Sequence, residues 1–181
     1  LLCHRRAPTT VCASNRHINR LFFGIGTFEK SFINVKHIDG WELAWQHNFW
    51  DTGLGFIANM TLADGSAVFN NQSNDSQFAL AGLSDTRNFV LFYDKYGLQA
   101  RIAYNWRDGY YTGGDTKPGY QTEYEQWDGN ITYEVSDSMV VYVEGINLTN
   151  ETFRSHGRSS YQTYGVGQIG ARYNVGFRYK L

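Results

Sequence analysis

Residues 168–181, QIGARYNVGFRYKL, alternate without a break: every odd position from Ile169 to Leu181 is apolar, and every even one is polar, charged or glycine. Successive side chains of a β-strand point to opposite sides of the pleat, so this stretch is expected to be a strand with two unlike faces. What the apolar face meets decides the class of protein. Packed on a core, it belongs to a soluble sheet; against lipid, it belongs to a membrane barrel.

The same period recurs along the chain. Six further strands are expected, over residues 40–49, 54–61, 88–94, 98–107, 126–135 and 139–148. The clearest is 98–107, where Leu98, Ala100, Ile102, Tyr104 and Trp106 oppose Gln99, Arg101, Ala103, Asn105 and Arg107. Composition agrees: aromatic residues make up 17%, with 19 glycines and only 2 prolines, a balance suited to strands joined by tight turns. No run approaches the roughly eighteen apolar residues of a membrane-spanning helix. The expected fold is therefore all-β, and any membrane crossing falls to strands.

The connections between these seven strands alternate between short and long. Short turns carry WDTG, DKYG and SDS, whereas residues 63–87, 108–125 and 149–163 are long and mostly polar. In an antiparallel up-and-down sheet, alternate connections share a rim, so the long ones are expected together at one end. Outer-membrane barrels have that asymmetry, with short periplasmic turns and long extracellular loops.

Charge limits what the polar faces can meet. They carry Glu42, Arg101, Arg107, Asp128, Glu134, Arg172, Arg178 and Lys180, and a lysine or arginine facing lipid at mid-depth costs about 2–4 kcal/mol. Those faces line a wet lumen or, in a soluble protein, face bulk water; charge alone does not choose. Aromatic residues toward strand ends (Trp106, Trp127, Tyr133, Tyr179), strands of about ten residues and one-sided loops favour the membrane. A soluble lipocalin-like barrel binding a small ligand is the alternative.

Several functions find no support. The formal charge is −1 and no basic cluster extends beyond His4, Arg5 and Arg6, so there is no electrostatic footprint for nucleic acid. Cys3 and Cys12, with His4 and His17, match no zinc spacing, and neither a metal nor a cofactor is expected. Ser155 and His156 lie in a polar loop without an orienting acid, so the chain is not expected to be an enzyme.

Residues 144–158, EGINLTNETFRSHGR, followed by YNVGFRYKL at 173–181, resemble the end of TonB-dependent outer-membrane receptors. The matching positions are Asn147, Leu148, Thr149, Asn150, Glu151 and Arg154, then Gly176, Arg178, Tyr179 and Lys180. Residues 40–56 and 88–108 are similar to later barrel strands of that family, so the resemblance covers about residues 39–181. It implies an antiparallel up-and-down transmembrane β-barrel segment in the bacterial outer membrane, about seven strands of a barrel of about twenty-two. Residues 31–181 are then expected to be the C-terminal part of the barrel, and residues 1–30 an irregular lead-in. The implied function is energy-coupled uptake of a scarce nutrient, an oligosaccharide in preference to an iron-siderophore. The implied partners are outer-membrane lipid and, through the C-terminal strand, the barrel-assembly machinery. The inner-membrane energy-coupling protein would be met only through a plug, which this sequence lacks. Leu181 stands where the family usually has a terminal aromatic.

Binding is the remaining chemistry. Residues 108–125 offer tyrosines able to stack on sugar faces, beside groups able to hydrogen-bond hydroxyls. The candidate ligand-binding residues are Tyr110, Tyr111, Asp115, Lys117 and Tyr120, while Tyr124 is assigned to an interfacial aromatic belt.

Overall fold

The computed structural model describes residues 22–32 and 36–180. Eight strands form one antiparallel sheet: β1 (Phe22–Phe32), β2 (Lys36–Asn48), β3 (Leu54–Gly65), β4 (Thr86–Lys95), β5 (Leu98–Arg107), β8 (Tyr124–Ser136), β9 (Met139–Ile146) and β12 (Arg172–Tyr179). Each pairs with the next in this series, giving an up-and-down meander whose open edges are β1 and β12. Four short strands form a second sheet in the order β11-β10-β7-β6: β6 (Tyr110–Gly113), β7 (Gly119–Gln121), β10 (Thr152–His156) and β11 (Thr163–Gln168). The protein is all-β, with a single 3₁₀ turn at Trp50–Thr52 among the described residues.

Two departures from the sequence expectation concern the first strand. Residues 22–30 belong to β1, which pairs with β2 from Phe22↔Gln46 to Phe32↔Lys36, so the irregular lead-in does not extend to residue 30. Residues 1–21, including both cysteines, and Leu181 lie outside the described residues. With β1 in place, short and long connections no longer alternate strictly. Phe32 and Lys36, the paired ends of β1 and β2, lie on the rim that carries the three long connections.

The tight turns on the opposite rim follow from backbone chemistry. Between β4 and β5, Tyr96 and Gly97 both have positive φ, 57° and 73°, as a two-residue hairpin turn matching the strand twist requires. After β2, the chain turns through Trp50 and Gly53, with Gly53 at φ 80°.

Register makes the two faces continuous. One row runs Trp45↔Ala58↔Phe89↔Tyr104↔Trp127, and a deeper one runs His47↔Phe56↔Leu91↔Ile102↔Gly129↔Gly145↔Tyr173. Since in-register partners share a face, the apolar sets of successive strands merge into a single surface. Aromatic edges tie it together: Trp45 meets Phe56 edge-on at 5.0 Å, and Tyr104 lies 4.8 Å from Trp127. The opposite face presents Glu42, Asn59, Asn88, Arg101, Asn105, Asn130, Glu144 and Arg178, with Val90 and Ile57 among them.

Among the described residues, neither face is covered by a second layer. The buried apolar side chains among them are Ala67, Phe69, Val90 and Pro118, whereas Trp41, Ile131 and Val175 are 55%, 53% and 79% exposed. The apolar face is therefore an uncovered surface.

The Asn147–Glu151 stretch has a structural reason for its sequence. Asn147 is buried with φ 56°, its side-chain amide donates to the Glu151 carbonyl at 3.1 Å, and its Oδ1 accepts the Glu151 N–H at 2.8 Å. Asparagine tolerates the left-handed conformation and here satisfies a backbone that has just left the sheet. Asp128 accepts the Asn147 N–H at 2.9 Å, fastening the turn to β8. Leu148 then folds back over the glycine pair Gly129 and Gly145 on the apolar face, where a Cβ at Gly145 would collide with it.

Candidate ligand-binding site

The three long connections do not splay apart; they fold onto one another. The second contributes the β6–β7 hairpin and the third the β10–β11 hairpin, and the two join through β7 and β10 at Gln121↔Ser155 and Tyr120↔His156. At the hairpin tip Gly113 and Gly114 have φ 119° and 96°, which glycine adopts without steric cost. The first connection, residues 66–85, has no strand of its own and is fastened from outside. Gly82 donates its N–H to the Tyr111 carbonyl at 2.8 Å, and the Tyr120 hydroxyl donates to Asn71 Oδ1 at 2.9 Å.

At the base of these loops lies a cavity of about 570 Å³. One wall is a ladder of four rings. Phe69 stacks on Tyr111 at 5.0 Å, Tyr111 leans on Tyr120 at 5.6 Å, and Tyr120 stacks on His156 at 5.4 Å. Tyr110 also lines the cavity, and the Arg107 guanidinium sits 3.9 Å over its ring. Arg107 is held there by hydrogen bonds to Ser84 Oγ at 2.8 Å and the Gly82 carbonyl at 2.7 Å. The acidic side chains in the lining are Asp64, Asp108 and Glu123, and it includes no lysine or arginine among the described residues.

Of the five expected ligand-binding residues, Tyr110, Tyr111 and Tyr120 are brought together in this lining, and Asp115 and Lys117 are not. Asp115 sits at the exposed hairpin tip and is occupied: its carboxylate accepts the Ser76 hydroxyl at 2.6 Å and the Gln77 N–H at 2.8 Å. Those two donors hold its carboxyl below the ordinary carboxylate value, the Ser76 hydroxyl contributing most. Lys117 is exposed on the same tip. Tyr120 shows the reverse influence, since burial raises its phenol above the ordinary value and keeps it a neutral donor.

Sequence reasoning missed Phe69 and His156. His156 draws notice in the sequence only as a neighbour of Ser155. Here its Nδ1 lies 2.8 Å from the Gly157 carbonyl, while Ser155 Oγ contacts the Gly165 carbonyl at 3.4 Å, so the pair makes no mutual hydrogen bond. Tyr124, at the start of β8, donates its hydroxyl to Gln126 at 2.9 Å and stays out of the cavity. Among the described residues no three His, Cys, Asp or Glu side chains are gathered to hold a metal ion.

Compared with protein families, curated proteins and solved structures, the chain matches none. The site is therefore argued from its own chemistry. A half-buried ladder of rings with carboxylates and amide groups at its margin can stack on the apolar face of a ring and accept hydrogen bonds from hydroxyls.

Proposed function

We infer that the chain is part of a TonB-dependent outer-membrane receptor, with the eight-stranded sheet in the bilayer, the three long connections outside, and the aromatic cavity taking a neutral oligosaccharide for energy-coupled uptake. The observation that carries this reading is the uncovered apolar face. It runs in register across the sheet, with Trp41, Trp106 and Trp127 toward the long connections, Tyr133 and Tyr179 toward the short turns, and Leu91, Ile102, Ile131 and Val143 between them. Aromatic girdles around an aliphatic band are what the two interfaces of a bilayer select.

The cavity supports an oligosaccharide over an anionic iron chelate. Its tyrosines suit stacking on sugar rings, and Asp64, Asp108 and Glu123 accept hydroxyl hydrogens while repelling anions. Titration calorimetry of the chain in detergent micelles, against neutral oligosaccharides and ferric siderophores, tests both steps. Saturable oligosaccharide binding that weakens roughly tenfold in Tyr111→Ala is expected, since stacking on a ring is worth about 0.5–1.5 kcal/mol. Binding of ferric siderophores alone would overturn the substrate class. A compact monomer without detergent would overturn the membrane reading.

A further inference from the structure

We propose that residues 70–78 form a strap held shut by two latches, Asp115 on the β6–β7 hairpin and Arg158 on the β10–β11 hairpin, and that release of the strap opens the aromatic cavity. The functional half of this proposal rests on the cavity being the ligand site.

The strap is a unit closed on itself. The Asn70 N–H donates to Gln77 Oε1 at 2.8 Å and the Gln77 side-chain amide donates back to the Asn70 carbonyl at 3.0 Å, joining its two ends. Inside it, the Gln72 N–H donates to Asn70 Oδ1 at 3.0 Å, and the Asp75 N–H donates to Ser73 Oγ at 3.1 Å. A segment whose two ends are tied to each other can move as one body, and the exposed backbone groups it releases turn to water.

Its attachments to the rest of the loop domain are of a different kind. Arg158 Nη1 donates to the carbonyls of Asn71 at 2.7 Å and Ser73 at 2.9 Å, and the Asn71 side-chain amide donates to the Arg158 carbonyl at 3.2 Å. On the other side, Asp115 takes the Ser76 hydroxyl and the Gln77 N–H; beside these two charged latches the strap has one neutral tie, the Tyr120 hydroxyl donating to Asn71 Oδ1 at 2.9 Å. Each latch is one charged side chain gripping neutral strap groups, so neither needs a matching charge on the strap. The latches stand on different hairpins, which β7 and β10 hold together. Charge-assisted bonds at the surface are reversible, because water replaces each partner at little cost.

The strap's flanks are the cavity wall. Ala67 and Phe69 before it, and Leu80 and Leu83 after it, line the cavity. The Leu80 N–H donates to the Ala67 carbonyl at 3.1 Å, so the two flanks shift together. Beyond them Gly82, at φ 80°, is anchored by its N–H to the Tyr111 carbonyl and by its carbonyl to Arg107, and offers a fixed pivot. Swinging the strap outward therefore withdraws one side of the ring ladder, and Phe69 with it.

Ala67, buried in the wall, reports opening when replaced by cysteine. The full chain carries Ala67→Cys with Cys3→Ser and Cys12→Ser, in detergent micelles, and its reaction with a bulky polar maleimide is timed. Asp115→Asn with Arg158→Gln is expected to raise that rate roughly tenfold, as loss of two exposed charge-assisted contacts implies. A Val90→Cys reporter in the large sheet should remain unchanged. Should the double variant also expose Val90→Cys, Ser76→Ala replaces it, with a smaller rise expected at Ala67→Cys alone. Equal Ala67→Cys rates with and without the latches would overturn the proposal. Labelling needs no ligand, so this outcome is separate from whether the cavity binds an oligosaccharide.

Discussion

Replacing Ile102 by arginine puts a charge in the middle of the apolar face. β5 has ten residues, and at about 3.3 Å per residue and a tilt of about 45° it spans roughly 23 Å, about the height of the apolar band of a membrane barrel. Ile102 is its fifth residue, in register with Leu91 and Gly129, and is 39% exposed. If that exposure is to lipid, Ile102→Arg costs about 2–4 kcal/mol. If it is to water, an arginine snorkels without strain and the change stays within about 0.5 kcal/mol. Asn105→Arg, on the polar face of the same strand, serves as control and should be close to neutral in either case. Urea unfolding from phospholipid vesicles, followed by tryptophan fluorescence, to which Trp41, Trp45, Trp106 and Trp127 on the apolar face contribute, reads the difference. Equal midpoints for Ile102→Arg and Asn105→Arg would refute the assignment of that face to lipid.

Two further predictions follow from the same geometry. In a Cys3→Ser, Cys12→Ser background, a membrane-impermeant thiol reagent should label single cysteines at Arg172 and Arg178 but not at Val175 and Phe177; the reverse pattern would exchange the two faces. For Asp115 the folded carboxyl lies below its ordinary value of 3.8, so its latch stabilises the strap fully above that value and is lost only as pH falls through the lowered one. Amide exchange of residues 70–78, corrected for its intrinsic pH dependence, should therefore stay constant between about pH 7 and about pH 5, and loss of protection already at about pH 5 would contradict the latch.

Where alternation has contrast, the sequence suffices: residues 98–107 are β5 to the residue, and Ile131 and Tyr133 share the face expected of them. It failed for β1, FFGIGTFEKSF, because glycines at 24 and 26 leave one face without a polar signal and Thr27 breaks the apolar one. The four strands of the small sheet are three to six residues long, too short for a period to register, and β7 finds β10 across more than thirty residues of chain. The site divides in the same way. Tyrosines massed in one loop announce an aromatic surface, but Phe69 and His156 join it from two other loops, and no local pattern marks either. Asp115 and Lys117 shared that loop without sharing its surface, since a hairpin carries its tip away from its base.

The sheet's energetics lead to a condition on its edges. With Ala67, Phe69, Val90 and Pro118 as the buried apolar side chains described, little of the sheet's apolar surface is withdrawn from its surroundings by the fold itself. The apolar face must then draw its stabilisation from whatever covers it, and in the proposed setting that is hydrocarbon. Hydrocarbon supplies no hydrogen-bond partners, so every backbone group at membrane depth has to be paired within a sheet. Among the described strands, the six inner ones meet that requirement on both sides, whereas β1 and β12 meet it on one. At membrane depth these two edges are the costly part of the sheet, and on β12 the apolar Val175 and Phe177, 79% and 71% exposed, lie along one of them. Strand pairing and lipid contact become one step, because the edge that completes its ladder also aligns its apolar row with the band beside it.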